Sequence, residues 1–412
     1  MRTISVVIVL SVLFIWFWFE LKDKDDFLSN ENISNISTPD FKISDKKISL
    51  TQQKKTNSEE VVLSVPKVDR SLIFSNADMI ATLKWLINLN EEKYGGFTVK
   101  DLLSIKELDL GDENIIDSDL KYLKVLKSLK TLYLWDTKIT DEGLKELSSL
   151  KSLTQLHLGE MEVTDKSLKI LSTLKFLNFL VVGGEGITDE GLKELSSLQS
   201  LTELNLGVTK VTDKGLKELS SLTSLKSLSL KCFNVTYGGV KELSKLQSLV
   251  ELSLYSTQIA DEGLKELSVL QSLEKLSLSE FQITDQGIKE LSQLPLLKEL
   301  SFSFTEFTNK HVKNLSTLPS LKVLTLSDVT IINEGLKELS KLTSLTELTL
   351  RYMKFTDDDL KELSNLTSLK KLHFRRTSTT RNGIEKLRKA LPHCQVTQNA
   401  FAVESKEHGI TK

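Results

Sequence analysis

Leu129-Lys130-Thr131-Leu132-Tyr133-Leu134-Trp135-Asp136-Thr137-Lys138-Ile139 is the stretch from which the rest of the chain can be read. The alternation Leu132-Tyr133-Leu134 predicts a short strand with one face turned inward. The chain continues Thr140-Asp141-Glu142-Gly143-Leu144-Lys145-Glu146-Leu147 and reaches Leu150. Leu144, Leu147 and Leu150 recur every third residue, which is one face of a helix. Thr140 stands where it can cap that helix, and Asp141 and Glu142 where its N-terminal dipole favours negative charge. A helix of about ten residues is marginal alone, so neighbouring copies must hold it.

The unit recurs every 24 residues, from Leu108-x-Leu110 through Leu132-x-Leu134 and Leu156-x-Leu158 to Leu372-x-Phe374. Val396 falls in register for a partial further strand. A second series, Ile115, Ile139, Val163 and Ile187 onward to Phe355, marks the turn. Each copy thus sends about seven apolar side chains inward, worth at most ~1.5–3 kcal/mol each before entropy. Ala260 and Ile332 replace the capping threonine, so their turns are expected to be weaker.

The run 129–139 resembles the leucine-rich-repeat consensus Leu-x-x-Leu-x-Leu-x-x-(Asn/Cys)-x-Leu, and the resemblance extends over 99–396. It departs at the Asn/Cys position, which holds Thr137, Met161, Glu185, Thr209, Phe233, Thr257, Phe281, Thr305, Val329, Met353 and Thr377. The Asn ladder of the family is therefore missing, with threonine a partial substitute. The Thr-Asp-Glu-Gly-Leu-Lys-Glu-Leu segment is similar to 24-residue repeats of bacterial proteins. It is also similar to the cysteine-containing repeats found behind F-box modules, and Leu391-Pro392-His393-Cys394-Gln395-Val396 resembles their terminal turn. The resemblance implies an α/β, right-handed leucine-rich-repeat solenoid: a horseshoe with a concave parallel sheet, convex helices and protein–protein recognition as its common use.

Five segments are expected: a hydrophobic signal-anchor at 1–21, a disordered polar stalk at 22–70, a helical N-terminal cap at 71–98, the repeats at 99–396 and a tail at 397–412. Residues 4–19 read ISVVIVLSVLFIWFWF, without charge. As a helix this run spans ~24 Å, close to a ~30 Å hydrocarbon core. Arg2 precedes it and an acidic-basic mixture follows, so the positive-inside rule keeps the N-terminus cytoplasmic and exports the rest. No small-x-small site follows, which favours an uncleaved anchor over a cleaved signal and secretion. The stalk is rich in Ser, Asn, Lys and Asp and cannot bury enough surface to fold. Its Asn32-Ile33-Ser34 and Asn35-Ile36-Ser37 match the glycosylation pattern only as chance in such a composition would. In the cap, Leu72, Ile73, Phe74, Met79, Ile80, Leu83, Leu86 and Ile87 fit one helical face beside Trp85.

Charge is balanced, 54 basic against 56 acidic residues, so no nucleic-acid or anionic partner is selected. Cys232 and Cys394 lie too many rungs apart to pair. No HExxH, GxSxG, P-loop or CxxC occurs, and His157 and His373 are nine repeats apart, so no metal, cofactor, small-molecule substrate or enzymatic activity is expected. Gly183-Gly184-Glu185-Gly186 reads as a turn variant.

The helix exteriors repeat Lys145-Glu146, Lys193-Glu194 and Lys217-Glu218, a solvated face. Variation falls on strand positions that alternate with leucine. Asp109, Asp112, Tyr133, Trp135, Asp136, His157 and Glu160 lie at one end. Ser229, Ser253, Ser277 and Ser301 occupy the middle. Tyr255, Phe304, Arg351, Tyr352, His373, Arg375 and Arg376 lie towards the other end. Exposed aromatics and arginines are frequent interface anchors. The expected partner-binding residues are Tyr133, Trp135, Tyr255, Phe304, Arg351, Tyr352, Arg375 and Arg376, with Tyr133/Trp135 and Arg351/Tyr352/Arg375/Arg376 as two patches. The expected function is a non-catalytic scaffold binding a protein outside the membrane. The alternative is an intracellular substrate adaptor of the F-box type in ubiquitin ligation, against which the N-terminal apolar run argues.

Overall fold

The computed structural model describes residues 76–399, apart from 256, 257, 306, 330 and 332. The apolar run 4–19, the polar segment 22–70, Leu72, Ile73, Phe74, Ile332 and the tail from 400 lie outside the described residues.

Thirteen strands form one parallel sheet in chain order. They are β1 (Glu107–Asp109), β2 (Thr131–Tyr133), β3 (Gln155–Leu158), β4 (Phe179–Val182), β5 (Glu203–Val208), β6 (Ser227–Lys231), β7 (Glu251–Tyr255), β8 (Lys275–Ser279), β9 (Glu299–Ser303), β10 (Val323–Ser327), β11 (Glu347–Arg351), β12 (Lys371–Arg375) and β13 (Gln395–Asn399). The register follows the sequence period: Leu108 pairs Leu132, Leu252 pairs Leu276 and Leu372 pairs Val396. A helical segment separates most successive strands, which makes an α/β right-handed solenoid with the sheet concave and the helices convex. The inward residues form one continuous core, and Phe302, Phe307, Phe355 and Phe374 are its largest fully buried side chains.

The helices are shorter than expected. Asp165–Leu171, Asp189–Leu195, Asp213–Leu219 and Asp261–Leu267 each have seven residues. They stop at a serine whose hydroxyl turns back on the carbonyl three residues earlier: Ser172 Oγ donates to Lys169 O at 2.7 Å and Ser220 Oγ to Lys217 O at 2.6 Å. The next leucine of the spacing, such as Leu222, then points inward from the turn rather than from the helix. The first two complete repeats use tighter 3-10 turns, Asp117–Val125 and Lys145–Ser149.

Capping threonines act in two directions. Within the repeat, Thr212 Oγ1 accepts the Lys214 N–H at 3.3 Å, as the sequence implied. Between repeats, the carboxylate of Asp189 accepts both the backbone N–H of Thr212 (2.8 Å) and its hydroxyl (2.7 Å), and also the N–H of Gly215 at 3.0 Å. The same aspartate-to-threonine clasp joins Asp117 to Thr140, Asp165 to Thr188, Asp213 to Thr236, Asp261 to Thr284 and Asp357 to Thr380. The Thr380 hydroxyl and N–H hold the Asp357 carboxyl below the usual carboxylate range. The clasp explains the glycine of Thr-Asp-x-Gly: a Cβ on Gly215 would lie 2.5 Å from Asp189 Oδ1. Where serine replaces that glycine, Ser167, its hydroxyl bonds Asp141 directly.

The ladder is broken where both halves are lost. Tyr237 occupies an aspartate slot and Ala260 the threonine slot facing it; Ala260 makes no side-chain cap bond. At Thr308 the N–H goes instead to His311 Nδ1 (3.0 Å), and His311 Nε2 lies 3.6 Å from Asp285. Thr356 turns to Asp359 of its own repeat.

One irregularity interrupts the period. A bulge between Leu206 and Val208 sets Val208 opposite Lys231, one residue short of the period. Cys232 lies just past β6, turned into the core and bonded to Thr209 (3.2 Å), while Phe233 is exposed. Burial pushes the Cys232 thiol up to about 11, so it is held protonated.

At the N-terminal end, α1 (Asn76–Leu89) lies on the first repeat. Trp85 stacks on Tyr122 at 5.3 Å, and Thr82 Oγ1 donates to Tyr122 O at 3.0 Å. Leu86 is buried, but Ile80, placed on the same apolar face by its spacing, is exposed, and Thr82 is buried in its stead. Among the described residues no helix is long and apolar enough to cross a membrane.

Candidate binding face

Side chains between the inward leucines leave the sheet on its concave side, and three regions follow one another along it. In the first, Tyr133 and Trp135 leave neighbouring outward positions of one rung and are both half-buried. The Tyr133 ring stacks on His157 of the next rung at 4.5 Å, and His157 meets Phe179 at 4.6 Å. Phe179 reaches His157 diagonally, since its register partner is Gln155. His157 is 5% exposed, and burial pulls its imidazole down to about 4, so at neutral pH it is an uncharged member of an aromatic column. The Trp135 indole lies over Gly111, where any side chain would collide with it. Around these rings stand Asp109, Asp112 and Asp136; partial desolvation, then Asp136 and Asp109, raise the Asp112 carboxyl.

The middle is small and polar. Ser229, Ser253, Ser277 and Ser301 are register partners on β6 to β9. Beside them, burial raises the carboxyls of Glu203 and Glu251, and Lys275 pairs with Glu299 at 3.1 Å. Tyr255 closes β7, and Phe304, exposed, follows β9 two rungs on.

The third region contains the arginines. Arg351 and Arg375 close β11 and β12 and are register partners. The Arg376 guanidinium lies 5.2 Å from the Tyr352 ring centre, and its Nη1 donates to the Tyr352 hydroxyl at 3.0 Å. His373 Nδ1 is 2.5 Å from Thr397 Oγ1.

The sequence reading missed the backbone of this face. Asp112, Asp136, Glu160, Glu280, Phe304, Asp328, Tyr352 and Arg376 all have φ between 49° and 61°, and Gly184 of the glycine-rich turn has φ 139°. These residues share one position of the repeat, the residue after the outward strand end. The left-handed region suits Asp and Gly and costs a Phe, Tyr or Arg about 1–2 kcal/mol. Asp at 112, 136 and 328 with Gly at 184 was the signal available in the sequence.

The structure thus brings together Tyr352 with Arg376, sets Arg351 beside Arg375, and puts Tyr133 and Trp135 on one rung. It leaves Tyr255 and Phe304 between the two groups. Among the described residues no three His, Cys, Asp or Glu side chains converge to hold a metal ion.

A family model described as a leucine-rich repeat region matches residues 95–338. The chain is a leucine-rich repeat protein. Its repeats are similar to those of an internalin, inlF, from Listeria monocytogenes: 22% identity over 79% of this chain and 95% of that one, with a TM-score of 0.49. A leucine-rich repeat protein from Leptospira interrogans is similar at 24% identity over 73% of this chain and 91% of that one, with a TM-score of 0.41. TLR13 in the TLR13–ssRNA13 complex is similar at 19% identity over 72% of this chain and 50% of that one, with a TM-score of 0.49. No curated protein matches the sequence. Leucine-rich repeat proteins are generally non-catalytic binding scaffolds, and this leucine-rich repeat protein carries its sequence variation on the sheet rather than on the helices, where the Lys245–Glu242 pair recurs four repeats on as Lys341–Glu338.

Proposed function

We propose that this leucine-rich repeat protein is a non-catalytic scaffold that docks a protein partner along its concave sheet. Tyr133 and Trp135 form one contact patch, and Arg351, Tyr352, Arg375 and Arg376 the other. The observation that carries this reading is the Tyr352–Arg376 stack, held at two consecutive left-handed positions. Asp or Gly would suit these positions at lower backbone cost, and an aromatic ring and a guanidinium kept there instead support a contact role. Neighbouring strands are ~4.8 Å apart, so the sheet offers an arc of roughly 60 Å, enough for a protein-sized partner.

In the same reading, residues 71–98 cap the exposed end of the stack, and 4–19 anchor the chain in a membrane. The segment 22–70 then presents the repeats on the extracytoplasmic side. The support is the length, charge and flanks of the N-terminal run. A fusion of residues 1–30 to a reporter active only after export is expected to be active; an inactive fusion would favour an intracellular role.

Docking is tested with the full-length chain. Partners are identified by proximity labelling and pull-down, and Trp135→Ala and Tyr352→Ala are then measured against the captured protein. Each is expected to weaken binding at least about tenfold, or ~1.4 kcal/mol. Unchanged affinity in both variants would remove the two-patch reading.

A further inference from the structure

The arginine-rich patch carries a ligand chemistry, an inference that rests on the concave-face reading above. Arg351 and Arg375 face the same side from register positions of neighbouring strands. Strands are ~4.8 Å apart, and like charges directly opposite one another are unfavourable on a sheet. Arg376 adds a third guanidinium, oriented by the ring and hydroxyl of Tyr352. Nearby, Lys371 and Glu347 pair with each other at 2.7 Å, so that couple is self-neutralising. The His373 imidazole is held down first by burial; Glu347 opposes this, while Lys371 and Arg351 add to it.

We propose that this patch receives the carboxylates of an acidic polypeptide segment. Guanidinium forks match carboxylate geometry two bonds at a time. Nε and Nη1 of Arg351 are buried, so the fork chemistry is that of Arg375 and Arg376, with Arg351 adding charge beside them. Such a pair can take one or two carboxylates but not a long row of anions. A nucleic acid needs an extended track of cations. Here the opposite end of the same face carries Glu107, Asp109, Asp112, Asp136 and Glu160, which would repel a polyanion lying along the arc. The left-handed column refines the segment further. It runs Phe304, Asp328, Tyr352, Arg376 on successive rungs. Exposed Phe304 offers an apolar contact ~9–10 Å before Tyr352, and Asp328 between them excludes a carboxylate from that rung. The segment therefore carries an apolar side chain about two rungs before its acidic residues.

Fluorescein-labelled hexaglutamate, titrated with full-length protein and read by anisotropy, tests the proposal. Saturable binding that weakens as salt rises is expected. Arg375→Glu/Arg376→Glu should weaken it at least about tenfold, and Arg375→Lys, which keeps the charge and loses the fork, severalfold. Lys145→Ala, on the convex helical side, should leave it unchanged. If the Glu pair does not fold, as judged by circular dichroism, Arg375→Gln/Arg376→Gln reads the same loss. The proposal is overturned if the wild type shows no saturable binding or if neither arginine pair changes it. It is equally overturned if a single-stranded oligonucleotide of similar charge binds as tightly. Failure with hexaglutamate, alongside a captured partner that still depends on Trp135 and Tyr352, would remove the acidic-segment proposal alone and leave the docking surface standing.

Discussion

Asp189→Ala is expected to destabilise the protein by about 2–4 kcal/mol, the loss of a carboxylate that accepts three hydrogen bonds, at roughly 1.5–3 kcal/mol for each charged one and with less than full additivity. The three donors are Thr212 N, Thr212 Oγ1 and Gly215 N, at 2.7–3.0 Å. The hydroxyl of Thr212 keeps its second bond, to Lys214 N–H, so the helix itself should survive. What weakens is the joint between two repeats, and in a solenoid that joint couples only its neighbours. Chemical denaturation should therefore lose cooperativity as well as midpoint. The complementary experiment repairs the break at Tyr237 and Ala260. Tyr237→Asp/Ala260→Thr should gain about 1–2 kcal/mol, with a favourable coupling of at least ~0.5 kcal/mol between the two changes in a double-mutant cycle. If Asp189→Ala stays within ~0.5 kcal/mol of wild type and the repair pair is simply additive, the clasp has no energetic role.

The second large effect belongs to His157. Its imidazole is held at about 4 in the folded chain, against an ordinary value of 6.5. Below 6.5 the unfolded chain takes up the proton first, so folding stability is intact above 6.5 and falls as pH drops towards 4. A shift of this size corresponds to roughly 3 kcal/mol lost by pH 4. The loss should concentrate on β2 to β4, where Tyr133 and Phe179 bury the ring. Hydrogen exchange of those strands at pH 7.5 and 5 would locate it. His157→Phe keeps an aromatic ring in the column and should flatten the slope of stability between pH 6.5 and 4. An unchanged slope in that variant would assign the acid sensitivity to other groups.

The 24-residue period made the sheet legible because each repeat contributes one strand and every strand pairs with the next copy of itself. Leu108, Leu132 and Leu156 are equivalent in sequence and directly opposed in space. Contacts that run between copies were harder to read. Thr212 looks like a helix cap and is one, and Asp189 looks like a complement to its own helix dipole. That Asp189 also grips Thr212 depends on how far each repeat is displaced on the next. Helix length was overestimated because serines 172 and 220 resemble helix residues until their hydroxyls bond backwards. On the concave face, the identity of Tyr352 and Arg376 was visible, whereas their left-handed backbone is a property of the repeat position and not of the residue. His157 was read as a surface side chain because Phe179 covers it from an offset position that period alone does not reveal.

The aspartate–threonine clasp also bears on how such a chain can grow. A repeat that carries both halves offers a carboxylate to the repeat after it and a threonine to the one before it. A duplicated block of 24 residues would arrive with both halves, receiving at its front and giving at its back, so insertion leaves every seam closed. Deletion of a whole repeat does the same. A single substitution does not, because the two halves of a seam belong to different repeats. Asp189 and Thr212 are neighbours of one seam although they are 23 residues apart. The Tyr237–Ala260 seam, where neither half remains, is the state in which no orphaned carboxylate or threonine is left behind. Inheritance in this protein is therefore tied to seams rather than to repeats, and a recombination point chosen between Asp189 and Thr212 would join unmatched halves unless its donor came from an intact rung.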